Sequence, residues 1–181
     1  MPKKSSAKRP QTSSNSLKTS AHSRHLQVIS SDGIVLQADL RALIVSTTLS
    51  ATIRDLGYDR EDCIDIQPIN VNNVVGFTLK LVFEWCEKHK EDDPSIAQEE
   101  KNKKNIFIPS WDRHFLGRLP MSNLLDLLSA AYHLDITGLI NYGCKTVANA
   151  AKGKSAEEMR EMFGIPEPWE QPSTSTATWD D

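Results

Sequence analysis

One segment near the C-terminus restricts the folds open to this chain more than any other feature. If residues 135–152 form a helix, with successive side chains about 100° apart, nine apolar or small residues fill one half of the helical wheel. They are Ile136, Leu139, Ile140, Gly143, Cys144, Val147, Ala148, Ala150 and Ala151. This apolar arc of about 180° is wider than the stripe of about 100° that packing on one core requires. We therefore predict that the helix has two apolar neighbours, and no evident second neighbour lies within the chain.

Helical patterns also flank this segment. Pro120 is predicted to begin a helix through Leu134 that is apolar around most of its circumference and therefore buried on several sides. Downstream, Ser155-Ala156-Glu157-Glu158 matches a capping box and predicts a further helix, which Gly164 ends. Three residues of that helix are predicted to face inward: Met159, Met162 and Phe163.

The N-terminal half combines strands with short helices. Residues 25–29 and 34–38 are β-prone runs on either side of the turn Ser30-Ser31-Asp32-Gly33, which predicts a hairpin. Asp39 is predicted to cap the first of two short helices, separated by the cluster Ser46-Thr47-Thr48.

A strand and a longer helix are predicted next. Residues 64–67 alternate in hydropathy as a strand does, and Pro68 limits that strand to an edge or an end. Asn72 is predicted to cap a helix that runs to about His89. The run that follows is rich in both signs of charge and poor in apolar residues, so we predict a mobile charged linker over residues 87–105.

Charge and cysteine content exclude several classes of protein. The net charge is −3, but the first 25 residues carry six basic and no acidic side chains, leaving 15 basic against 24 acidic residues, or −9. A basic nucleic-acid-binding body is not expected from that balance.

The chain contains no run of eighteen apolar residues, so no membrane span is predicted. The absence of an apolar leader, with three widely spaced cysteines, predicts an intracellular protein with free thiols.

No motif in the chain predicts catalysis or a cofactor. The nucleotide-binding, metalloprotease and hydrolase signatures are all missing. Cys86 and His89 are possible metal ligands one helical turn apart, but no second pair accompanies them, which favours a half-buried cysteine and a surface histidine. Asp112 is interpreted as a helix N-cap and His133 as a surface residue rather than as members, with His114, of a catalytic group.

Seven short segments, taken in order along the chain, form a distinctive series. They are Ser30-Ser31-Asp32-Gly33, Asn70-Val71-Asn72, Glu84-Trp85-Cys86-Glu87-Lys88-His89-Lys90, Ile108-Pro109-Ser110-Trp111-Asp112, Leu134-Asp135-Ile136, Cys144-Lys145-Thr146-Val147-Ala148-Asn149 and Lys152-Gly153-Lys154-Ser155-Ala156-Glu157-Glu158. This series resembles the Skp family, the adaptor subunits of SCF (Skp, cullin, F-box) ubiquitin ligases. The resemblance runs from about Leu26 to Ile165, and its most specific part is the sequence CKTVAN followed by KGK and EE.

The resemblance implies an α+β protein with a BTB/POZ fold, a small sheet with a helical cluster, extended at its C-terminus by helices. It implies a non-catalytic adaptor that needs no cofactor and links F-box substrate receptors to a cullin scaffold for ubiquitin-dependent degradation, in the cytoplasm and nucleus. The implied F-box-binding residues are Leu139, Ile140, Val147, Ala148, Ala151, Met159, Met162, Phe163 and Ile165. The implied cullin-binding residues are Tyr132 and His133. A weak homodimer is also allowed, whereas nucleic acid and membrane are not expected partners.

The resemblance also divides the chain. We expect a disordered basic Ser-rich head over 1–24, a BTB/POZ domain over 25–134, an F-box-binding extension over 135–165 and a tail rich in Pro, Ser and Thr over 166–181. The head is an addition to the family pattern, and the Pro-rich sequence with Trp169 replaces the family's charged final helix. Where the family has Ala-Asn-Tyr-Leu-Asp, this chain has Ala131-Tyr132-His133-Leu134-Asp135. It is thus interpreted as a divergent paralogue.

Two alternatives remain open from the sequence. A self-assembling BTB module would oligomerise without recruiting a cullin. The shorter relatives in elongin-type ligases end before residue 152, so the helix predicted after Ser155 favours the SCF type.

Overall fold

The computed structural model describes residues 24–60, 62–63, 66–92 and 106–166, and within them a three-stranded sheet accompanies seven helices. The predicted α+β class is confirmed. The strands are β1 (His25–Ser30), β2 (Val35–Asp39) and β3 (Ile69–Val71). The helices are α1 (Leu40–Leu43), α2 (Thr47–Asp55), α3 (Gly76–His89), α4 (Ser110–Gly117), α5 (Met121–His133), α6 (Thr137–Ala151) and α7 (Ala156–Phe163).

The predicted hairpin is present and supplies two of the three strands of the sheet. β1 pairs antiparallel with β2 from Ile29 opposite Val35 to His25 opposite Asp39. Gly33 has φ +78° in the turn, a conformation that glycine adopts without the steric cost of a Cβ. Because the strand order is β2-β1-β3, β1 is the only central strand of this sheet.

The two predicted short helices are also confirmed. The Asp39 side chain accepts a hydrogen bond from the Arg41 N–H and caps α1, and the Ser46 side chain accepts one from Leu49 N–H and caps α2. The Ser-Thr cluster therefore separates the helices by capping the second of them.

The predicted strand at 64–67 is misplaced. The third strand begins at Ile69, just after Pro68, and pairs parallel with β1 at the edge of the sheet. Residues 64 and 65 lie outside the described part, and Gln67 is not in the strand because its N–H donates to the Tyr58 hydroxyl at 3.0 Å. Pro68 does mark a strand end, but the N-terminal one.

The predicted cap of α3 is wrong, although the helix ends at His89 as expected. The helix begins at Gly76 after Val75, whose side chain makes no capping bond. The Gly76 N–H instead donates to Oδ1 of Asp32 in the hairpin turn, at 2.8 Å. A carboxylate distant in sequence, rather than the Asn72 side chain, thus accepts a hydrogen bond from the first turn of the helix.

The helices form a cluster on the sheet. α3 packs against β2, β1 and α1, and on another side against α5, while α6 packs against both α4 and α5. One continuous core results, and its fully buried side chains come from the sheet and the helices alike: Leu26, Val28, Leu43, Ile53, Leu79, Val82, Phe115, Leu116, Leu127, Ile136 and Leu139. The sheet and the later helices therefore share one core.

The end of the predicted head and the start of the predicted linker both differ in the structure. Arg24 does not belong to a disordered head, because its guanidinium donates to the main-chain oxygens of Arg60 and Cys63, both at 2.6 Å, and of Tyr58 at 3.1 Å. The charged linker begins later than residue 87, because α3 continues to His89. The rest of the predicted head (1–23), most of the linker (93–105) and most of the tail (167–181) lie outside the described residues.

Candidate partner-binding surfaces

Helix α6 changes from core helix to surface helix along its length. It spans Thr137–Ala151, two residues later at its start and one earlier at its end than predicted. Its buried residues, Gly138, Leu139, Tyr142 and Gly143, all lie in the first half. In the second half Val147 and Ala151 are half-buried and Ala148 is exposed. The apolar arc is therefore fully buried only as far as Gly143, and beyond it Val147 packs partly against the core.

A glycine brings α5 and α6 close together where α6 is deepest. A Cβ added at Gly143 would lie 2.3 Å from Cδ2 and 3.1 Å from Cγ of Leu128. Any larger residue at 143 would have to displace Leu128 from its packed position. The close approach fixes the direction in which the second half of α6 leaves the core.

Helix α7 follows a tight turn and is capped at both ends. Gly153 has φ +79° between the helices. The predicted capping box is present: the Ser155 side chain accepts from the Glu158 N–H, and the Glu158 carboxylate accepts from the Ser155 N–H at 2.7 Å. At the other end Gly164, as predicted, ends the helix with φ +63°.

None of the residues of α7 is buried. Its apolar side chains, predicted to face inward, are half-buried, and Ile165 beyond it is 52% exposed. α7 packs against α5, the same helix that supports α6. We call the partly open apolar residues of the two helices the α6–α7 surface: Val147, Ala148, Ala151, Met159, Met162, Phe163 and Ile165.

Two of the predicted F-box-binding residues lie elsewhere. Leu139 is fully buried in the core and offers no surface to a partner. Ile140 is half-buried against the core, as Val147 is, but it lies in the first half of α6 beside the buried residues. The helical wheel placed all three on one arc and could not show that only the first half of the helix is buried.

The end of α5 forms a second exposed site. Tyr132 is 76% exposed, and its ring meets the His133 ring edge-on with centroids 6.2 Å apart. His133 is exposed, as predicted. Behind them the turn into α6 is tied to the start of α2: the Thr48 hydroxyl donates to the oxygen of His133 at 3.3 Å, and the Ser46 hydroxyl donates to that of Leu134 at 2.5 Å. The site is therefore a fixed surface.

The interpretation of His89 as a surface residue is wrong. The side chain is only 11% exposed, its ring is stacked on Trp85 at 3.9 Å, and Trp111 meets it edge-on at 5.8 Å. Cys86 is buried rather than half-buried, and burial raises the pKa of its thiol to about 12. Across the described ranges no group of three or more His, Cys, Asp or Glu residues is placed to hold a metal ion.

Asp112 is not the N-cap of α4. The helix begins at Ser110, and Asp112 lies in its first turn, 1% exposed. Its Oδ1 accepts from Trp85 Nε1 at 2.7 Å and lies 3.1 Å from His89 Nε2. The partners of this carboxylate are on α3, so it joins two helices instead of capping one.

Comparison with known proteins agrees with the fold. The family model described as "Skp1 family, tetramerisation domain" matches residues 24–91, and the one described as "Skp1 family, dimerisation domain" matches residues 137–171. The first of these is a POZ domain, which confirms the predicted BTB/POZ fold. No helix in the described part of the chain is both long and apolar enough to cross a membrane.

Curated relatives match most of the chain. A Skp1-related protein of Caenorhabditis elegans is 38% identical over 146 residues, 80% of this chain and 82% of that protein. The E3 ubiquitin ligase complex SCF subunit sconC of Arthroderma benhamiae is 37% identical and that of Arthroderma otae 39% identical, each over 142 residues, 77% of this chain and 82% of the relative. With this identity and coverage, and with both domain models in the expected order, the chain belongs to the Skp1 family.

Proposed function

We propose that this protein is a non-catalytic adaptor of an SCF-type ubiquitin ligase, holding an F-box substrate receptor on a cullin scaffold. The observation that carries the proposal is the α6–α7 surface, an apolar area that the described part of the chain leaves partly exposed. Membership of a family whose relatives are named as SCF subunits supports this assignment.

The α6–α7 surface has the properties expected of a receptor site. Its methionines and Phe163 present flexible and aromatic apolar groups, which adapt to and anchor partner side chains. Local capping bonds stabilise α7 as a helix although none of its residues is buried. The surface is therefore available for an apolar segment of a receptor.

The end of α5 is proposed as the cullin site. Tyr132 is a large aromatic residue that projects from a rigid turn, the kind of residue that often anchors an interface. It lies on the helix that also supports α6 and α7. Receptor and cullin would then bind to one continuous helical framework, and the adaptor would raise the effective concentration of substrate near the ubiquitin-charged enzyme.

A matched pair of variants tests the receptor site. Val147→Asp introduces a carboxylate into the α6–α7 surface, and we expect loss of F-box-protein binding with cullin binding kept, because an unpaired charge in an apolar interface costs several kcal/mol. Asn149→Asp adds the same charge two residues away, at an exposed position on the polar side of the helix, and should leave both affinities unchanged. Loss of both partners in Val147→Asp would indicate unfolding, and unchanged receptor binding would exclude this surface.

A second candidate function is self-assembly, and one surface favours it. Four exposed apolar residues lie where the hairpin turn meets the start of α3, and Ile34 touches Gly76 so closely that a Cβ there would be 2.7 Å from its Cδ1. They are Ile34, Val35, Val75 and Phe77. Light scattering of the purified chain separates the two functions. A protein that remains oligomeric at every dilution and does not bind cullin would favour self-assembly. A monomer or weak dimer that binds cullin would favour the adaptor function.

A further inference from the structure

Both ring nitrogens of His89 face carboxylates. Nδ1 lies 2.5 Å from Oδ2 of Asp92, just beyond the end of α3, and Nε2 lies 3.1 Å from Oδ1 of Asp112 on α4. We call these three residues the His89 bridge. It joins the end of α3 to the first turn of α4, two points that the segment 93–105 separates in sequence.

This arrangement requires a proton on each nitrogen. A neutral imidazole carries one N–H and one lone pair, whereas an imidazolium carries two N–H donors. The Asp112 oxygen already accepts from Trp85 Nε1 at 2.7 Å, and the Asp92 oxygen belongs to an exposed carboxylate. When His89 is neutral, one of its two contacts therefore places a lone pair against an oxygen that can only accept.

The charged groups around the ring also favour the protonated form of His89. Burial by itself lowers the pKa of His89, but hydrogen bonds to Asp112 and Asp92, and the charges of both, outweigh burial and raise the pKa above 6.5. The neighbouring cationic side chains bind other groups. Lys90 pairs with Asp39 and Glu87, Arg113 donates to the main-chain oxygen of Ile108, and Arg118 pairs with Glu84. His114 on α4 is exposed, as is Lys88 on α3.

The bridge contacts a helix that packs against one of the two helices of the α6–α7 surface. α4 packs against α6, and its Phe115 and Leu116 are in the core. Trp111 of α4 is held between the His89 ring and the Phe115 ring, which it stacks at 5.0 Å. We propose that the His89 bridge is a proton-dependent switch that holds α4 on α3 when the imidazole is charged and loosens α4 when the proton leaves.

The direction of the effect follows from linkage. Because the folded state binds this proton more tightly than the open state, the stabilisation is complete below the ordinary histidine pKa and is lost as pH rises through the folded pKa of His89. Between those two values the opening equilibrium of α4 rises by up to about tenfold per pH unit.

The experiment uses the unaltered full-length protein and its own internal reference. NMR titration of the His89 ring should give a pKa above the ordinary histidine value of about 6.5. Hydrogen exchange, corrected for the intrinsic pH effect, should show α4 amides opening faster above that pKa while β1 amides do not change. A His89 pKa at or below about 6.5, or α4 opening independent of pH, would overturn the proposal.

Two variants assign the effect to the bridge. Asp112→Asn keeps an acceptor for Trp85 Nε1 but removes the charge, so it should lower the pKa of His89. His89→Gln should make α4 opening independent of pH, and His133→Gln should leave the wild-type profile. An unchanged His89 pKa in Asp112→Asn, or a wild-type pH profile in His89→Gln, would contradict the proposed role.

Discussion

The hydroxyl of Ser46 donates a hydrogen bond to the main-chain oxygen of Leu134, 88 residues away, with the two oxygens 2.5 Å apart. The same hydroxyl accepts from Leu49 N–H and so caps α2, and the side chain is fully buried. One residue of the N-terminal half thus fixes the turn that presents Tyr132 and His133.

Removing that hydroxyl is expected to destabilise the fold. Ser46→Ala loses a helix cap and leaves a buried carbonyl poorly satisfied, which together should lower the free energy of unfolding by about 2–4 kcal/mol. Urea denaturation measures the change. Ser122→Ala, at an exposed position of α5, is the control and should stay within about 0.5 kcal/mol of wild type. A wild-type midpoint for Ser46→Ala would show that neither bond contributes.

The close approach of Gly143 to Leu128 gives a second prediction. Alanine is normally a better helix former than glycine by about 1 kcal/mol, but at 143 its methyl group would overlap Leu128, so we expect a net loss of about 1–2 kcal/mol. Gly117→Ala is the matched control, because no atom lies within 4 Å of a Cβ there. Thermal or urea unfolding should therefore move in opposite directions for the two variants, and a stabilised Gly143→Ala would show that Leu128 moves aside freely.

Asp32 predicts a pH dependence. Hydrogen bonds from Ser30 and from the Gly76 N–H lower the pKa of its carboxyl below 3.8. Because the pKa is lower in the folded state, the ionised carboxylate stabilises the fold at pH values above the ordinary carboxyl pKa. That stabilisation is lost as the pH falls through the pKa of the folded state. Wild type should therefore be more stable than Asp32→Ala at neutral pH, and the difference should shrink at strongly acidic pH. A difference that does not change with pH would contradict an ionic role.

Cullin selectivity is predicted to depend on Tyr132 and His133. Replacing the family's Asn and Tyr by a phenol and an imidazole changes both volume and hydrogen bonding, worth about 1–3 kcal/mol, or about ten- to a hundredfold in affinity. The wild-type adaptor should favour one cullin, and Tyr132→Asn with His133→Tyr should reduce that preference. Titration against a panel of cullin N-terminal domains measures it. Identical profiles would remove both residues from the interface.

The features predicted correctly from the sequence depend on residues close together in the chain. The hairpin turn, the Asp39 cap, the capping box at Ser155 and the end at Gly164 are each set within a few residues. The amphipathic pattern likewise placed α6 within two residues of its bounds.

The features missed depend on partners far apart in the chain. Gly76 takes its acceptor from Asp32, 44 positions away, and Trp85 is joined to Asp112 across 27 positions. No local pattern marks such pairs. Asp112 lies in one of the family-like segments, and Trp85 and His89 lie in another. That pattern does not indicate that the three residues are in contact or that His89 is buried.

The most direct test of the adaptor function is the mass of the complex formed from three purified components. An F-box protein and a cullin N-terminal domain should remain separate in light scattering when mixed alone, and adding this protein should yield one species with the mass of a 1:1:1 complex. If the receptor and the cullin remain separate in its presence, or if the protein forms only complexes with itself, the adaptor function is contradicted.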